Sequence, residues 1–321
     1  MESFPQHADR PLVLVTEPLA PEPLGWLGAR AEVARCPPGD PGFGDALARA
    51  EALVVRTATR VDAGLLDRAP RLRVVGRAGV GLENIDQDAC ARRGVAVVHT
   101  PGANADAVAE YTIAMMLGAL RPIATERDAP DRADTPSAWD AWRRDATTER
   151  SAQGETLGII GLGTIGARVA RIARALSMRV LYHDIREIDP AERAGAEPAT
   201  LEAIVARCGV VSIHVDGRPE NTALIGPGAF ASMRADVILI NTARGAVLDE
   251  DAAARFARAH PDARLILDVH AREPFDRASP LASLPNVTRT PHIAAGTRRA
   301  KTAMSWVVRD VWDTLTQTKT E

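Results

Sequence analysis

Apolar residues run along this chain in short blocks of four to six, and between the blocks they return every three or four positions, the spacing of an amphipathic helix. In the first hundred residues the blocks Leu12 to Val15, Val33 to Cys36, Ala52 to Arg56, Leu72 to Gly76 and Val95 to His99 read as strands. Their alternation with helical segments predicts an α/β unit around a parallel sheet. The segment Asn104 to Leu120 has helical periodicity without a breaker and leads into a second series of strands. That series begins at Leu157 and continues with Arg179 to His183, Val210 to Val215, Val237 to Asn241, Leu265 to Val269 and Val287 to Thr290. These make six, the number of a full Rossmann sheet. Helices are expected at Ala167 to Leu176 and Asp249 to Ala259. A last helix, Thr297 to Leu315, has no following strand to cover, so it is expected to return to the first unit and make that unit discontinuous. The stretch Arg127 to Gln153, rich in Asp, Arg, Pro and Ala, is expected to be partly loop, with Trp139 and Trp142 in packing or a subunit contact.

Composition narrows this picture. At 321 residues the chain suits two domains better than one core. Apolar residues at 46% and charged residues at 25% are globular values, and a net charge of −3 gives no general pull toward nucleic acid or an anionic membrane. Met1 to Arg10 is polar and no apolar run approaches the ~18 residues of a span, so neither export nor insertion is expected and the default compartment is the cytoplasm. Cys36, Cys90 and Cys208 are odd in number and widely spaced, which argues against disulfides and a metal site and makes all three small buried hydrophobes. Lysine occurs only at Lys301 and Lys319, so an arginine here needs a motif around it before it counts as a ligand.

The first such motif is a strand, Thr156-Leu-Gly-Ile-Ile, running into Gly161-Leu-Gly163-Thr164-Ile165-Gly166 and then a helix, with Asp184 closing the next strand. Gly161 allows the tight turn, Gly163 lets backbone approach a pyrophosphate, and Gly166 lets the helix pack on the strand. Asp184 lies 23 residues beyond Gly161, near the ~20 at which a carboxylate meets an adenosine ribose. No Gly-Lys-Ser/Thr follows, which excludes a Walker loop. The carboxylate would repel a 2′-phosphate, so NAD is expected over NADP, although Arg186 stands two residues on.

Ligands of such sheets bind beyond the carboxyl ends of the strands. Three reactive residues stand there: Arg244 in Asn241-Thr-Ala-Arg-Gly, Glu273 in Leu267-Asp-Val-His-Ala-Arg-Glu-Pro, and His292 in Thr290-Pro-His. A cation, an acid and an imidazole together suit hydride transfer at a carbinol or carbonyl carbon. The imidazole exchanges the hydroxyl proton, the carboxylate orients the ring and favours its charged form, and the guanidinium grips a substrate carboxylate. His183, His214 and His270 also stand at strand ends; packing is the simpler role for them, but His214 is included with Thr242 and Asp268 among the residues expected at the cofactor.

With these motifs in place, the chain resembles the D-isomer-specific 2-hydroxyacid dehydrogenase family, most closely its short, phosphoglycerate-dehydrogenase-like members. The likeness runs from about Leu53 to Thr297 through Gly76-Arg-Ala-Gly-Val-Gly-Leu-Glu-Asn-Ile-Asp, the glycine triplet, Asn241-Thr-Ala-Arg-Gly, Leu267-Asp-Val, Glu273-Pro and Thr290-Pro-His. It implies an α/β fold of two domains: a Rossmann NAD-binding domain at 101–291 and a discontinuous, flavodoxin-like substrate domain at 1–100 and 292–321. It also implies the roles given to Arg244, Glu273 and His292. Backbone N–H groups of Ala78, Gly79 and Val80 would cradle the substrate carboxylate. Arg56, Thr57 and Arg77 occupy positions similar to those that hold the phosphate and carboxylate of phosphoglycerate in relatives, and Arg143 and Arg144 resemble a basic spot that reaches a neighbouring subunit's site. The implied partners are a small anionic 2-oxo or 2-hydroxy acid and a second copy of the chain, as a homodimer.

The substrate stays open between a phosphorylated or phosphonate-bearing acid and a simple one such as glyoxylate or hydroxypyruvate. An NAD-sensing, corepressor-like binding protein and a phosphite-type oxidoreductase are the other classes on this scaffold. Two departures from the family pattern stand out: Glu83 before Asn84, and Asp216-Gly217-Arg218 where an apolar or proline-containing stretch is usual. No appended regulatory domain is expected, nor feedback through one.

Overall fold

A computed structural model describes residues 10–125, 128–130, 134–148 and 150–317. The expectations that fall on 1–9, on 127, 131–133 and 149 within the Arg127 to Gln153 stretch, and on 318–321 lie outside these residues. The chain divides into two units, Met1–Asn104 with Gly296–Glu321, and Ala105–Ala295. The boundaries thus fall a few residues beyond 100 and 291, and His292 belongs to the second unit.

The first unit opens with β1 (Leu12–Val15), α1 (Pro21–Gly28), β2 (Glu32–Arg35), α2 (Phe43–Arg49) and β3 (Ala52–Val55), followed by α3 (Ala63–Asp67), β4 (Val74–Arg77), α4 (Gln87–Arg92) and β5 (Ala96–His99). All five strands are parallel in the order β2-β1-β3-β4-β5, the flavodoxin-like arrangement. Because successive side chains point to opposite faces, Leu14, Leu53, Val55 and Val75 pack against Leu47, Leu65, Leu66 and Cys90 on one side, while Val13, Val15, Val54 and Val74 turn to the other. Asp62 and Asp86 start α3 and α4 by accepting the N–H groups of Leu65 and Ala89.

The second unit begins with α5 (Ala105–Leu120), α6 (Pro136–Asp145), β6 (Thr156–Ile160), α7 (Thr164–Ala175), β7 (Arg179–His183) and β8 (Glu197–Pro198). It continues with α8 (Leu201–Arg207), β9 (Val210–Ile213), α9 (Pro227–Ser232), β10 (Ile238–Asn241), α10 (Glu250–Ala259), β11 (Arg264–Leu267) and β12 (Val287–Arg289). The sheet is parallel, in the order β12-β11-β10-β9-β6-β7-β8, a Rossmann sheet whose direction of growth reverses between β6 and β9. It has seven strands where six are expected. The extra one, β8, is two residues long and pairs Glu197 and Pro198 with Leu181 and Tyr182, too short to leave a periodic signal and placed at the edge, where a proline is tolerated. Leu157, Ile159, Ile238 and Ile240 pack under α5 and α7, while Ile160, Val211, Leu239 and Leu265 pack under α8, α9 and α10.

The chain returns to the first unit as α11 (Arg298–Ser305) and α12 (Val307–Gln317), two helices where one is expected, divided at Trp306. Val307, Val308, Val311 and Leu315 complete the core on the face bearing Val13 and Val74. Trp26 and Trp306 meet edge to face with centroids 6.1 Å apart, and the Arg309 guanidinium lies 3.9 Å from the Trp306 ring centre. In the stretch expected as partly loop, α6 is helical and buries none of its residues; Trp139 is 49% exposed and packs edge-on to Trp142. Cys90 and Cys208 are buried, as expected, but Cys36, at the end of β2, is only partly so. No helix among the described residues is long and apolar enough to cross a membrane.

Candidate active site

Within the second unit, the glycine turn lies where the sheet reverses direction. Gly161 has φ +94°, and a Cβ there would fall 2.8 Å from the His214 carbonyl group, so the turn needs both the left-handed conformation and the missing side chain. A Cβ on Gly166 would lie 2.2 Å from the Gly161 oxygen, which accounts for the close seating of α7 on its strand. Gly163, the residue before α7, has open space on its Cβ side. That space, with the first-turn N–H groups of Thr164, Ile165 and Gly166, fits a pyrophosphate.

Beside the turn is a cavity of about 350 Å³ lined by Gly161, Gly163, Asp184, Arg186, Asp216 and Arg218, among others. Asp184 Oδ2 accepts the Leu162 N–H at 2.9 Å, and Oδ1 accepts the Arg186 N–H at 2.9 Å and its Nε–H at 3.2 Å. Burial pushes this carboxyl's pKa up, but the Arg186 and Leu162 donors outweigh it and hold it below the ordinary carboxylate range. Arg186 and the exposed Ile185 therefore share the rim with the acid.

The departure at Asp216 forms a clasp. The Asp216 carboxylate accepts from the Arg218 guanidinium, Nε–H at 2.7 Å, and from Asn221 Nδ2 at 3.0 Å. At His214, Nε2 meets Ser212 Oγ at 2.9 Å, while Nδ1 is buried with no partner among the described residues. Burial lowers the His214 pKa to about 4.

The three reactive residues follow the adjacent strands β10, β11 and β12 at the same edge. Glu273 and His292 are brought together: Nδ1 of the imidazole lies 2.8 Å from Oε2 and 3.1 Å from Oε1. A carboxylate only accepts, so Nδ1 carries the hydrogen and Nε2 is the nitrogen without one in the neutral ring. His292 adopts φ +52°, a conformation that costs a non-glycine residue free energy and persists only under external restraint.

The restraint is Asp268, 1% exposed. Its backbone oxygen accepts the His292 N–H at 2.9 Å, and its carboxylate accepts Thr290 Oγ1–H at 2.7 Å and the Ile293 and Ala294 N–H groups at 2.8 Å. His270 Nε2 adds a bond to the Thr290 oxygen at 2.8 Å, and the His270 N–H donates to Glu273 Oε1 at 3.2 Å.

Arg244 sits on a turn held by buried Asn241, whose Nδ2 donates to the Arg244 oxygen and whose Oδ1 accepts the Ala243 N–H, both at 3.0 Å. Its guanidinium donates to the Ala243 oxygen at 2.7 Å. Gly245 abuts the next loop, since a Cβ there would be 1.9 Å from the His270 carbonyl carbon. Thr242 Oγ1 lies 3.3 Å from Thr112 Oγ1 on α5.

The expected substrate residues lie in the first unit. Arg56 and Thr57 begin the loop after β3; Arg77 ends β4, and its side chain lies over Gly79. The Ala78 N–H bonds the Val55 oxygen at 2.9 Å and the Gly79 N–H the Arg77 oxygen at 2.8 Å. Both bonds stay within the unit. Asn84 Nδ2 reaches back to the Arg56 and Thr59 oxygens at 2.9 and 2.6 Å, tying the two segments together. Arg143 and Arg144 are exposed on α6. Among the described residues no His, Cys, Asp and Glu cluster could hold a metal.

Sequence reasoning missed Asn241, Asn84 and the rim residues Ile185, Asn221 and Leu224. Asn84 and Asn241 stand inside the motifs quoted, and their position was the available signal.

Comparison with known proteins matches residues 113–294 to the family "D-isomer specific 2-hydroxyacid dehydrogenase, NAD binding domain". The chain is 36% identical over 302 residues to D-3-phosphoglycerate dehydrogenase of Archaeoglobus fulgidus, which covers 93% of this chain but 56% of that protein. It therefore spans little more than half the length of that relative. It is 35% identical over 316 residues to glyoxylate reductase of Aeropyrum pernix, covering 94% of this chain and 91% of the other. Among solved structures, D-lactate dehydrogenase from Aquifex aeolicus, complexed with NAD and lactic acid, superposes with a TM-score of 0.78 at 26% identity, covering 96% of both chains.

Proposed function

The chain belongs to the D-isomer-specific 2-hydroxyacid dehydrogenase family, and from that premise we propose that it interconverts a 2-oxoacid and a D-2-hydroxyacid with NAD as hydride carrier. The observation that carries the reading is the Glu273–His292 pair, held at 2.8 Å at the sheet edge that also bears Asp184 and the glycine turn.

When bound, the nicotinamide supplies or takes the hydride. His292 does the proton work at Nε2, giving a proton to the carbonyl oxygen in reduction and taking it from the hydroxyl in oxidation. Glu273 fixes the tautomer and the orientation of the ring through Nδ1. Arg244 offers a planar fork of donors to the substrate carboxylate and polarises the adjacent carbonyl. Asp184 favours the ribose of NAD over a 2′-phosphate, while Arg186 on the same carboxylate moderates that preference. The homodimer implied by the resemblance belongs to this reading, with α6 as the outward-facing helix.

Between an anionic-tailed substrate and a short one, the pairing of Arg56 with Thr57 favours the tail. The deciding experiment follows NADH absorbance across 2-oxoacids with and without a phosphate or phosphonate group. The expected result is turnover of both kinds, with the charged-tail compounds used far more efficiently than glyoxylate. Turnover of glyoxylate and hydroxypyruvate alone would make the protein a short-chain oxoacid reductase. Binding of NADH without any turnover would overturn the dehydrogenase reading in favour of a sensing role.

A further inference from the structure

The loop after β3 encloses a charge that belongs to the protein itself. Glu17, two residues past the end of β1, extends its carboxylate into the loop and accepts four consecutive backbone N–H groups. Oε1 takes those of Arg56 at 2.9 Å and Thr59 at 3.0 Å, and Oε2 those of Thr57 at 3.0 Å and Ala58 at 3.1 Å. Successive N–H groups converging on one point make an anion-binding nest, and here the anion is built in. The carbonyl side of the loop is held as firmly, because Asn84 Nδ2 donates to the Arg56 and Thr59 oxygens. Buried Thr59 is fixed further through its hydroxyl, which donates to Thr16 Oγ1 at 2.7 Å.

Two consequences follow. The backbone donors of this loop are already committed, so a ligand anion meets side chains there and not the nest. The backbone conformation of Arg56, Thr57 and Ala58, and so the direction in which their side chains leave it, is set by Glu17 from within.

We infer that Glu17 is a specificity-positioning residue: it holds the 56–59 loop in the conformation that presents Arg56 and Thr57 to the distal anionic group of the substrate. The inference rests on the reading of Arg56 and Thr57 as ligands of that group. Neither Gln nor Ala can replace the carboxylate, because an amide nitrogen would face N–H donors and a methyl group would leave all four unpaired. Arg56 and Thr57 would then be presented by a loop with several backbone states.

The test compares wild type with Glu17→Gln and, loosening the loop from its carbonyl side, Asn84→Ala. Phosphohydroxypyruvate and glyoxylate serve as substrates, and hydrogen exchange reports the amides of residues 57–59. In both variants the amides lose protection, KM for phosphohydroxypyruvate rises at least about tenfold with kcat within about twofold, and both constants for glyoxylate hold. A KM that rises equally for both substrates makes Glu17 merely structural and overturns the inference, as does lost protection with an unchanged KM. Amides that stay protected in Glu17→Gln overturn the clamp itself. A wild type that turns over glyoxylate but gains nothing from the phosphoryl group removes the ligand reading of Arg56 and Thr57, and the inference with it.

Discussion

Asp184 and His292 show how single side chains here act through a second group that fixes them. His292 holds a left-handed backbone because the Asp268 backbone and carboxylate bind its N–H and the loop around it. His292→Ala should lower kcat about 10²- to 10⁴-fold, the range for loss of a general acid or base, while NADH still binds. Arg244→Ala should cost a similar factor, read mainly in kcat/KM for the oxoacid. Near-normal turnover in either variant refutes the assigned roles. For Asp184→Ala, calorimetry should show NAD binding weakened by at least about tenfold and NADP binding much less affected. An unchanged ratio would mean that the acid does not read the ribose. The glycine turn, Asp184 and the Glu273–His292 pair were legible in the sequence because each has a fixed place at a strand end. Asn241, Asn84 and Glu17 were not read, since each works on backbone groups: Asn241 three residues away, Glu17 as far as 42 residues along the chain, where no periodic pattern records the contact.

Among the elements, strands are predicted best where both faces are covered and the apolar run is unbroken, as in β1, β3, β9 and β10, all of whose residues are buried. Two-residue β8 carries no such run, and α6 has no fully buried residue, its helical spacing of Ala138, Trp139, Ala141 and Trp142 being a short signal set among Asp and Arg. The division of the last helix at Trp306 is equally silent, because the apolar spacing continues across it. The loops after β10 and β11 touch backbone to backbone at Gly245. Gly245→Ala should force them apart, lowering stability by about 1–3 kcal/mol and cutting turnover more than NADH affinity, since the cavity beside Asp184 lies beyond other strands. Thermal melting and kcat measured on the same sample check both effects; a variant with unchanged kcat would show that the joint does not position Arg244.

For the whole molecule, acid should act in two stages. His214 is held neutral by burial at a pKa of about 4 against 6.5 when unfolded, so the unfolded chain binds the extra proton in between. Stability is therefore complete above pH ~6.5 and declines toward pH ~4, by up to about 3 kcal/mol from this residue. Glu17 is also buried, which raises its pKa, but its backbone N–H partners prevail and lower it; Asp184 is lowered as well. Their contributions are present above the ordinary carboxylate range, about 4, and are lost as pH falls through the lower folded values. Melting temperatures from pH 7.5 to 3 should show both stages in the unliganded protein. Glu17→Gln should flatten only the lower one, and His214→Asn only the upper; a single collapse near pH 4 in wild type would contradict the His214 account.

The tryptophans are divided between the units in a way that can be put to use. Trp26, Trp306 and Trp312 are half-buried against the core of the discontinuous unit, whereas half-buried Trp142 and exposed Trp139 stand on α6 in the second unit. Indole emission is therefore weighted toward the first unit, three tryptophans against two, while ellipticity sums the helices of both. In a denaturant titration the separation between the two midpoints measures directly how independently the units melt.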